Sequence, residues 1–297
     1  MSDYRAHHIY HAHALGVAGN IIRPIPQMIS SLASTSLSPM GGHGSDHVEN
    51  FELKGIVSFR SAFVEVAGTH DKETDTHSTI SSAVIEKLEI MGGIVTADRV
   101  VARLSSHHPM SAKQVKDQPG KQKPADKSLG EPSITPTGSY FENLRVAGYP
   151  IALSLKTHLF CEHDTFSKVE DEHKGKLRDS LLCNKLKGAK GKHPSLDRFY
   201  HGLEDSPQTH GIYICSMANH LDLKANPLYE HELENFGSVI YVPKFGVIHL
   251  AELVIERYSR RLNMVRIHMG SPIEGTISAA ALFSNGTTIP PTGGGGG

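Results

Sequence analysis

The sequence predicts an all-β protein: an antiparallel β-sandwich or barrel built from duplicated hairpins, with a short helical insertion. Three observations carry this prediction. One pattern recurs as Asn50-Phe51-Glu52-Leu53-Lys54-Gly55, Lys87-Leu88-Glu89-Ile90-Met91-Gly92 and Asn143-Leu144-Arg145-Val146-Ala147-Gly148. Each copy alternates apolar and polar residues up to a glycine, as half-buried strands do on reaching a turn. The first two copies also continue alike, through Ile56-Val57-Ser58 with Phe63-Val64-Glu65-Val66 and through Ile94-Val95-Thr96 with Val100-Val101-Ala102-Arg103-Leu104. That is strand, tight turn and strand, twice over. Alternation returns strongly near the C-terminus, in residues 247–256 and 262–271. The alternative fold is a β-solenoid, because the 37 residues from Asn50 to Lys87 also suit large coils.

The elements follow in chain order. Residues 10–25 alternate small and apolar side chains before Pro24 and Pro26, which reads as a strand leaving its sheet through a Pro-rich exit. Residues 30–47 are rich in Ser, Thr, Gly and Pro, and are expected to form a surface turn region. The hairpins then fill residues 48–68 and 80–104, joined by a polar connection at 69–79. Residues 105–137 change to Lys, Gln, Pro, Ser and Gly, with too little apolar surface to offset ordering, and are expected to be a long mobile loop.

The third copy resumes at Tyr140, and its Pro150 suggests an edge strand, since proline cannot donate to a ladder. Residues 162–204 have helical character: Asp164 is placed to cap a helix, and Leu177, Leu181, Leu182 and Leu186 fall at helical spacing. β character returns at 211–217 and 238–242, and Arg257-Tyr258-Ser259-Arg260-Arg261 separates the two strongest strands. Residues 286–297 end in five glycines after Pro290-Pro291 and are expected to form a flexible tail. At 297 residues the chain fits one large β domain with an insertion.

Composition narrows the function classes. Thirty basic and thirty-one acidic residues leave a formal net charge of -1, so no global field draws in nucleic acid or an anionic membrane. The chain contains no Trp and few other aromatic residues, which disfavours stacking platforms for bases. Cys161, Cys183 and Cys215 are too few and scattered for a disulfide framework. No apolar run is long enough to cross a bilayer, and residues 1–8 have no secretory-signal pattern.

Histidine is the outlier, with twenty residues. In His7-His8-Ile9-Tyr10-His11-Ala12-His13, a strand projects His7, His11 and His13 from one face and His8 from the other. His7, His11 and His13 are therefore the candidate metal ligands, for Zn, Cu or Ni, although a solvated or stacked His-rich terminus is the simpler reading. His107-His108-Pro109 reads as turn chemistry. Cys161-Glu162-His163-Asp164 collects nucleophile and acid-base residue types, but adjacency in sequence seldom gives catalytic geometry. Gly41-Gly42-His43-Gly44-Ser45 lacks the spacing and the following helix that a phosphate-binding loop needs. The basic runs 113–127 and 185–192 read as solvated loops. No catalytic residue and no cofactor is assigned.

Several of these segments resemble a known family. Residues 12–26, Leu88-Glu89-Ile90-Met91-Gly92-Gly93-Ile94-Val95-Thr96-Ala97-Asp98-Arg99-Val100 and Phe141-Glu142-Asn143-Leu144-Arg145-Val146-Ala147-Gly148-Tyr149-Pro150-Ile151 are similar, in order, to bacterial surface proteins called choice-of-anchor P. The resemblance implies an exported, non-catalytic domain with no catalytic residues to carry over, located outside the cell or at its surface. The absence of a signal pattern and anchor, and the helical insertion, depart from that family, so a cytoplasmic location stays open. The functional expectation is a structural or interaction protein that forms homo-oligomers or polymers through strand edges or its tail. The alternatives are a His-dependent metal-binding protein or metal enzyme, and a carbohydrate-binding β-sandwich.

Overall fold

The computed structural model describes residues 7–109, 131–189, 191, 196, 211–218, 222–223, 233–270 and 272–289. Its centre is an antiparallel meander of β3 (Gly42–Leu53), β4 (Val57–Asp71), β5 (Thr76–Ile90) and β6 (Val95–Pro109). The first two repeat copies form the turns between β3 and β4 and between β5 and β6. The third supplies β9 (Arg145–Val146) and the turn into β10 (Tyr149–Ala152). The three turns lie side by side: Met91 N–H donates to Ile56 O at 2.7 Å, and Ala147 N–H to Ile94 O at 2.7 Å. Gly55, Gly92 and Gly148 have φ of 74°, 60° and 80°, so each turn uses a conformation that side chains resist.

This sheet contains nine strands, ordered β12 (Asp222–Leu223), β10, β9, β6, β5, β4, β3, with β7 (Ser133–Thr135) and β8 (Tyr140–Glu142) also on β6. The second sheet contains eight. Its order is β13 (Glu234–Phe236), β14 (Val239–Val242), β15 (Gly246–Glu256), β16 (Ser259–Met269), β17 (Glu274–Ile289), β1 (His7–Arg23), β2 (Gln27–Ser36), with β11 (Tyr213–Ser216) on β15. β1, β16 and β17 pack over β4, β5 and β6 around one apolar core that includes Ala14, Val17, Val64, Ile85, Leu104 and Leu282. The fold is therefore a β-sandwich. Both sheets are open, so the barrel form does not apply, and every ladder among the described residues is antiparallel, which rules out the parallel coils of a solenoid.

Several boundaries differ from those predicted. Within 30–47 only residues 37–41 connect strands, and within 69–79 only 72–75 turn, because Ser, Thr and His serve well on half-solvated ladders. β6 runs through Pro109 and β7 occupies Ser133–Thr135, so strand enters both ends of the predicted 105–137 loop, whose residues 110–130 lie outside the described residues. β10 lies between β9 and β12 rather than at an edge. Pro150 is accommodated because the β12 ladder reaches only Ile151 and Ala152. The chain turns at residues 257–258, and Arg260 belongs to β16. β17 runs through Ile289; residues 290–297 lie outside the described residues.

The helical insertion begins at α1 (Thr157–Glu162) and continues with α2 (Phe166–Glu172) and α3 (Leu182–Lys185), with residues 190, 192–195 and 197–210 outside the described residues. Leu177, Leu181, Leu182 and Leu186 are all buried, as their spacing predicts. Thr165, not Asp164, caps α2, accepting from Lys168 N–H at 3.4 Å. The insertion is pinned to its sheet by Arg260, 1% exposed, which donates from Nη2 to His163 O at 2.6 Å and from Nη1 to Phe160 O at 3.4 Å.

Each sheet carries a transverse row of left-handed residues. Asn50, Lys87 and Asn143 have φ of 50°, 53° and 50°, and the register sets them in one row with Arg60 and Asp98 between them. Along β5 the core-facing residues are Ala83 and Ile85 before the row, then Leu88 and Ile90 after it. The left-handed residue switches which parity faces the core, so two neighbouring residues, Glu86 and Lys87, both face outward. In the second sheet Ala33, Ala280 and Ala251, with φ of 50°, 51° and 48°, form a matching row with Gly16 and Met264.

Candidate functional site

Alternation along β1 turns His8, Tyr10, Ala12 and Ala14 towards the facing sheet. His8, 9% exposed, stacks on His77 of β5 with ring centroids 4.3 Å apart and planes 16° from parallel. His77 stacks in turn on His70 of β4 at 4.1 Å, and His108 of β6 lies 4.8 Å from His8. Four imidazoles from four strands thus meet at one end of the sandwich. Tyr10 stands edge-on to His8, and its hydroxyl is hydrogen-bonded to His77 Nδ1 at 2.6 Å. His70 Nε2 lies 3.2 Å from Asp75 Oδ1, whereas both nitrogens of His8 and Nε2 of His108 are buried without a hydrogen-bond partner.

These surroundings favour neutral rings. Burial, then the His77 and His70 rings, push His8 down from 6.5 to about 4. Burial, then His8, His77 and His107, push His108 down to about 3. His77 is also lowered, by burial and then His70, with Asp75 opposing. At neutral pH His8, His77 and His108 are uncharged aromatic rings, the state in which imidazoles pack without mutual repulsion.

The parity switch creates a second feature on the outer face of the nine-stranded sheet. Glu86 accepts from Arg60, from Arg99 at 2.7 Å and from Ser61 at 3.2 Å; these bonds, Arg60's first, hold its carboxylate at about 2. Asp98 accepts from Asn143 at 2.6 Å and from Lys87 at 2.7 Å, and is likewise held below the ordinary carboxylate range. Two open grooves adjoin the stripe. One, about 360 Å³, is lined by Lys87, Glu89, Asp98, Asn143 and Arg145, and the other, about 370 Å³, by Glu86, Arg99, Arg103 and Tyr140. The stripe is a set of fixed donors and acceptors, its carboxylates tied to their own cations.

A family model described as a domain of unknown function, DUF8256, matches residues 8–256, from β1 to the end of β15. The chain belongs to the DUF8256 family. No curated protein and no solved structure matches it.

In this DUF8256 chain the predicted metal ligands are not brought together with the histidine stack. His11 and His13 face the opposite side of β1 from His8; the His11 ring meets Phe283, and His13 Nε2 lies 3.2 Å from Ser34 Oγ. The side chain of His7 lies outside the described residues. Among the described residues no group of three His, Cys, Asp or Glu side chains is placed to hold a metal ion. His107 and His108 lie in β6 rather than in a turn, and His108 closes the end of the stack opposite His70. That residue was missed because a His-His-Pro triplet beside a Lys-rich segment carries no sign of burial.

The Cys161 to Asp164 group separates in the DUF8256 fold. Cys161 Sγ contacts Thr137 Oγ1 at 3.1 Å, His163 Nδ1 lies 2.7 Å from Leu159 O, and Asp164 binds Ser133 and Lys168. Cys215 is fully buried and its thiol is pushed up to about 12 by burial, which silences it as a nucleophile. No helix among the described residues is long and apolar enough to cross a membrane.

Proposed function

We infer that this DUF8256 protein is a non-enzymatic structural or interaction protein that self-associates by strand addition at β3. The observation that carries this reading is β3 itself: twelve residues at the edge of the nine-stranded sheet, paired only with β4 among the described residues and exposed or half-exposed throughout. An edge strand offers a row of N–H and C=O groups to a neighbouring chain. Phe63, 41% exposed and opposite His47 of β3, adds apolar surface beside that edge. The tied carboxylates of the stripe fit a scaffold better than an acid-base site.

Light scattering and electron microscopy of the purified protein test the reading, alongside a Ser45→Lys/His47→Lys variant that places charge on the edge. Oligomers that the variant loses support it; a strictly monomeric particle at high concentration overturns it. Tyr140, 42% exposed beside the Glu86–Arg99 pair, favours a second reading, a carbohydrate-binding face. Glycan screening of wild type against Tyr140→Ala tests that reading. An extracellular location rests on the choice-of-anchor P resemblance, and cell fractionation tests it.

A further inference from the structure

We propose that the His8–His77–His70–His108 stack is an acid-released latch, which holds the two sheets together at one end of the sandwich and lets that end open when the rings take up protons. The geometry carries the idea. His8 is the contribution of the eight-stranded sheet, and it lies between His77 and His108 of the nine-stranded sheet. The latch therefore spans the interface rather than decorating one face. Its buried nitrogens on His8 and His108 have no acceptor in place for an added proton.

Protonation sets like charges 4.1 to 4.8 Å apart between ring centroids, in surroundings that offer little compensation. Few charged or titratable groups among the described residues face the stack. β1 supplies Tyr10, β4 supplies Asp71 next to His70, the 72–75 turn supplies Asp75, and β6 supplies His107, which is bonded to Ser78. The neighbouring strands carry uncharged residues there: Thr288 of β17 pairs with His8, and Ser133 of β7 pairs with His107. Among the described residues Asp75 is the one carboxylate in contact with a ring, and it reaches the outermost, His70, so no described carboxylate serves His8 or His108 as a counter-ion.

The sign follows from linkage. His8 and His108 have folded-state values below the ordinary 6.5, so the closed end is fully stable above that value and loses stability as pH falls towards about 4 and about 3. In that window the open-to-closed ratio rises by about tenfold per pH unit for each ring that gains a proton on opening.

Hydrogen exchange read by mass spectrometry on the full chain at pH 7 and pH 5, corrected for intrinsic exchange, tests the latch. Segments 7–12, 68–79 and 104–109 should exchange at least about tenfold faster at pH 5, while segments 51–59 and 88–96 at the opposite end stay unchanged. A His8→Phe/His108→Phe variant keeps flat rings at the two positions that lack a counter-ion but removes their protonation, so its acid response should be sharply reduced, to what His77 alone contributes. Faster exchange spread equally over both ends, no change between the two pH values, or an undiminished response in the variant overturns the proposal. If the variant does not fold, NMR titration of the wild-type imidazoles decides: midpoints for His8 and His108 below 5 support the latch, and midpoints near 6.5 overturn it.

Discussion

Gly16 of β1 lies against Ala62 of β4. A Cβ on Gly16 would sit 3.2 Å from Ala62 Cβ and 2.7 Å from the Leu32 carbonyl oxygen of its own sheet. Gly16 belongs to the row formed with Ala33 and Ala280, and Ala62 follows Arg60 and Ser61, where β4 switches parity. The irregular rows of the two sheets therefore meet, and small residues let them do so.

Gly16→Ala should destabilise the protein by about 1–3 kcal/mol and Gly16→Val by more, because the new atoms meet backbone that cannot swing aside. Urea unfolding monitored by circular dichroism measures this. A variant as stable as wild type would show that the sheets do not approach here.

The row of left-handed residues gives a prediction of sign. Asn is tolerated at positive φ and Lys is not favoured there, so Lys87→Asn should leave stability unchanged or raise it by up to about 1 kcal/mol. Asn50→Val should lower it by about 1–2 kcal/mol, since a β-branched residue fits that conformation worst. Ordinary strand preference would reverse both signs. Thermal melts of the two single variants are sufficient to decide.

Arg260 anchors the helices through two carbonyl groups at the end of α1. Arg260→Ala leaves those carbonyls buried and unpaired and should cost about 3 kcal/mol, with Arg260→Met costing less because it refills the space. Limited proteolysis should cut within residues 157–185 first in the Ala variant. Unchanged cleavage would mean the helices are held by their leucines alone.

The repeat was legible as strand, turn and strand because alternation up to glycine is a local signal. Its meaning was only half legible. Each copy begins at the left-handed residue, Asn50, Lys87 or Asn143, and that residue marks where the core-facing parity changes. Asn is a hint of such a conformation, but Lys87 gives none. The polar connections at 30–47 and 69–79 misread as loops for a related reason: Ser, Thr and His can serve a ladder whose partners lie elsewhere in the sequence.

The sequence by itself determined the strands flanking the repeat turns and the two long C-terminal strands, the glycine turns, the buried leucines of the insertion and the two faces of β1, because periodicity and turn chemistry act between residues a few positions apart. The tertiary structure alone decided that the sheets stay open, that the three repeats align in one row, and that His8, His70, His77 and His108 meet. Those outcomes depend on which strands become neighbours and on burial from both sheets at once, and no single segment of the chain encodes either.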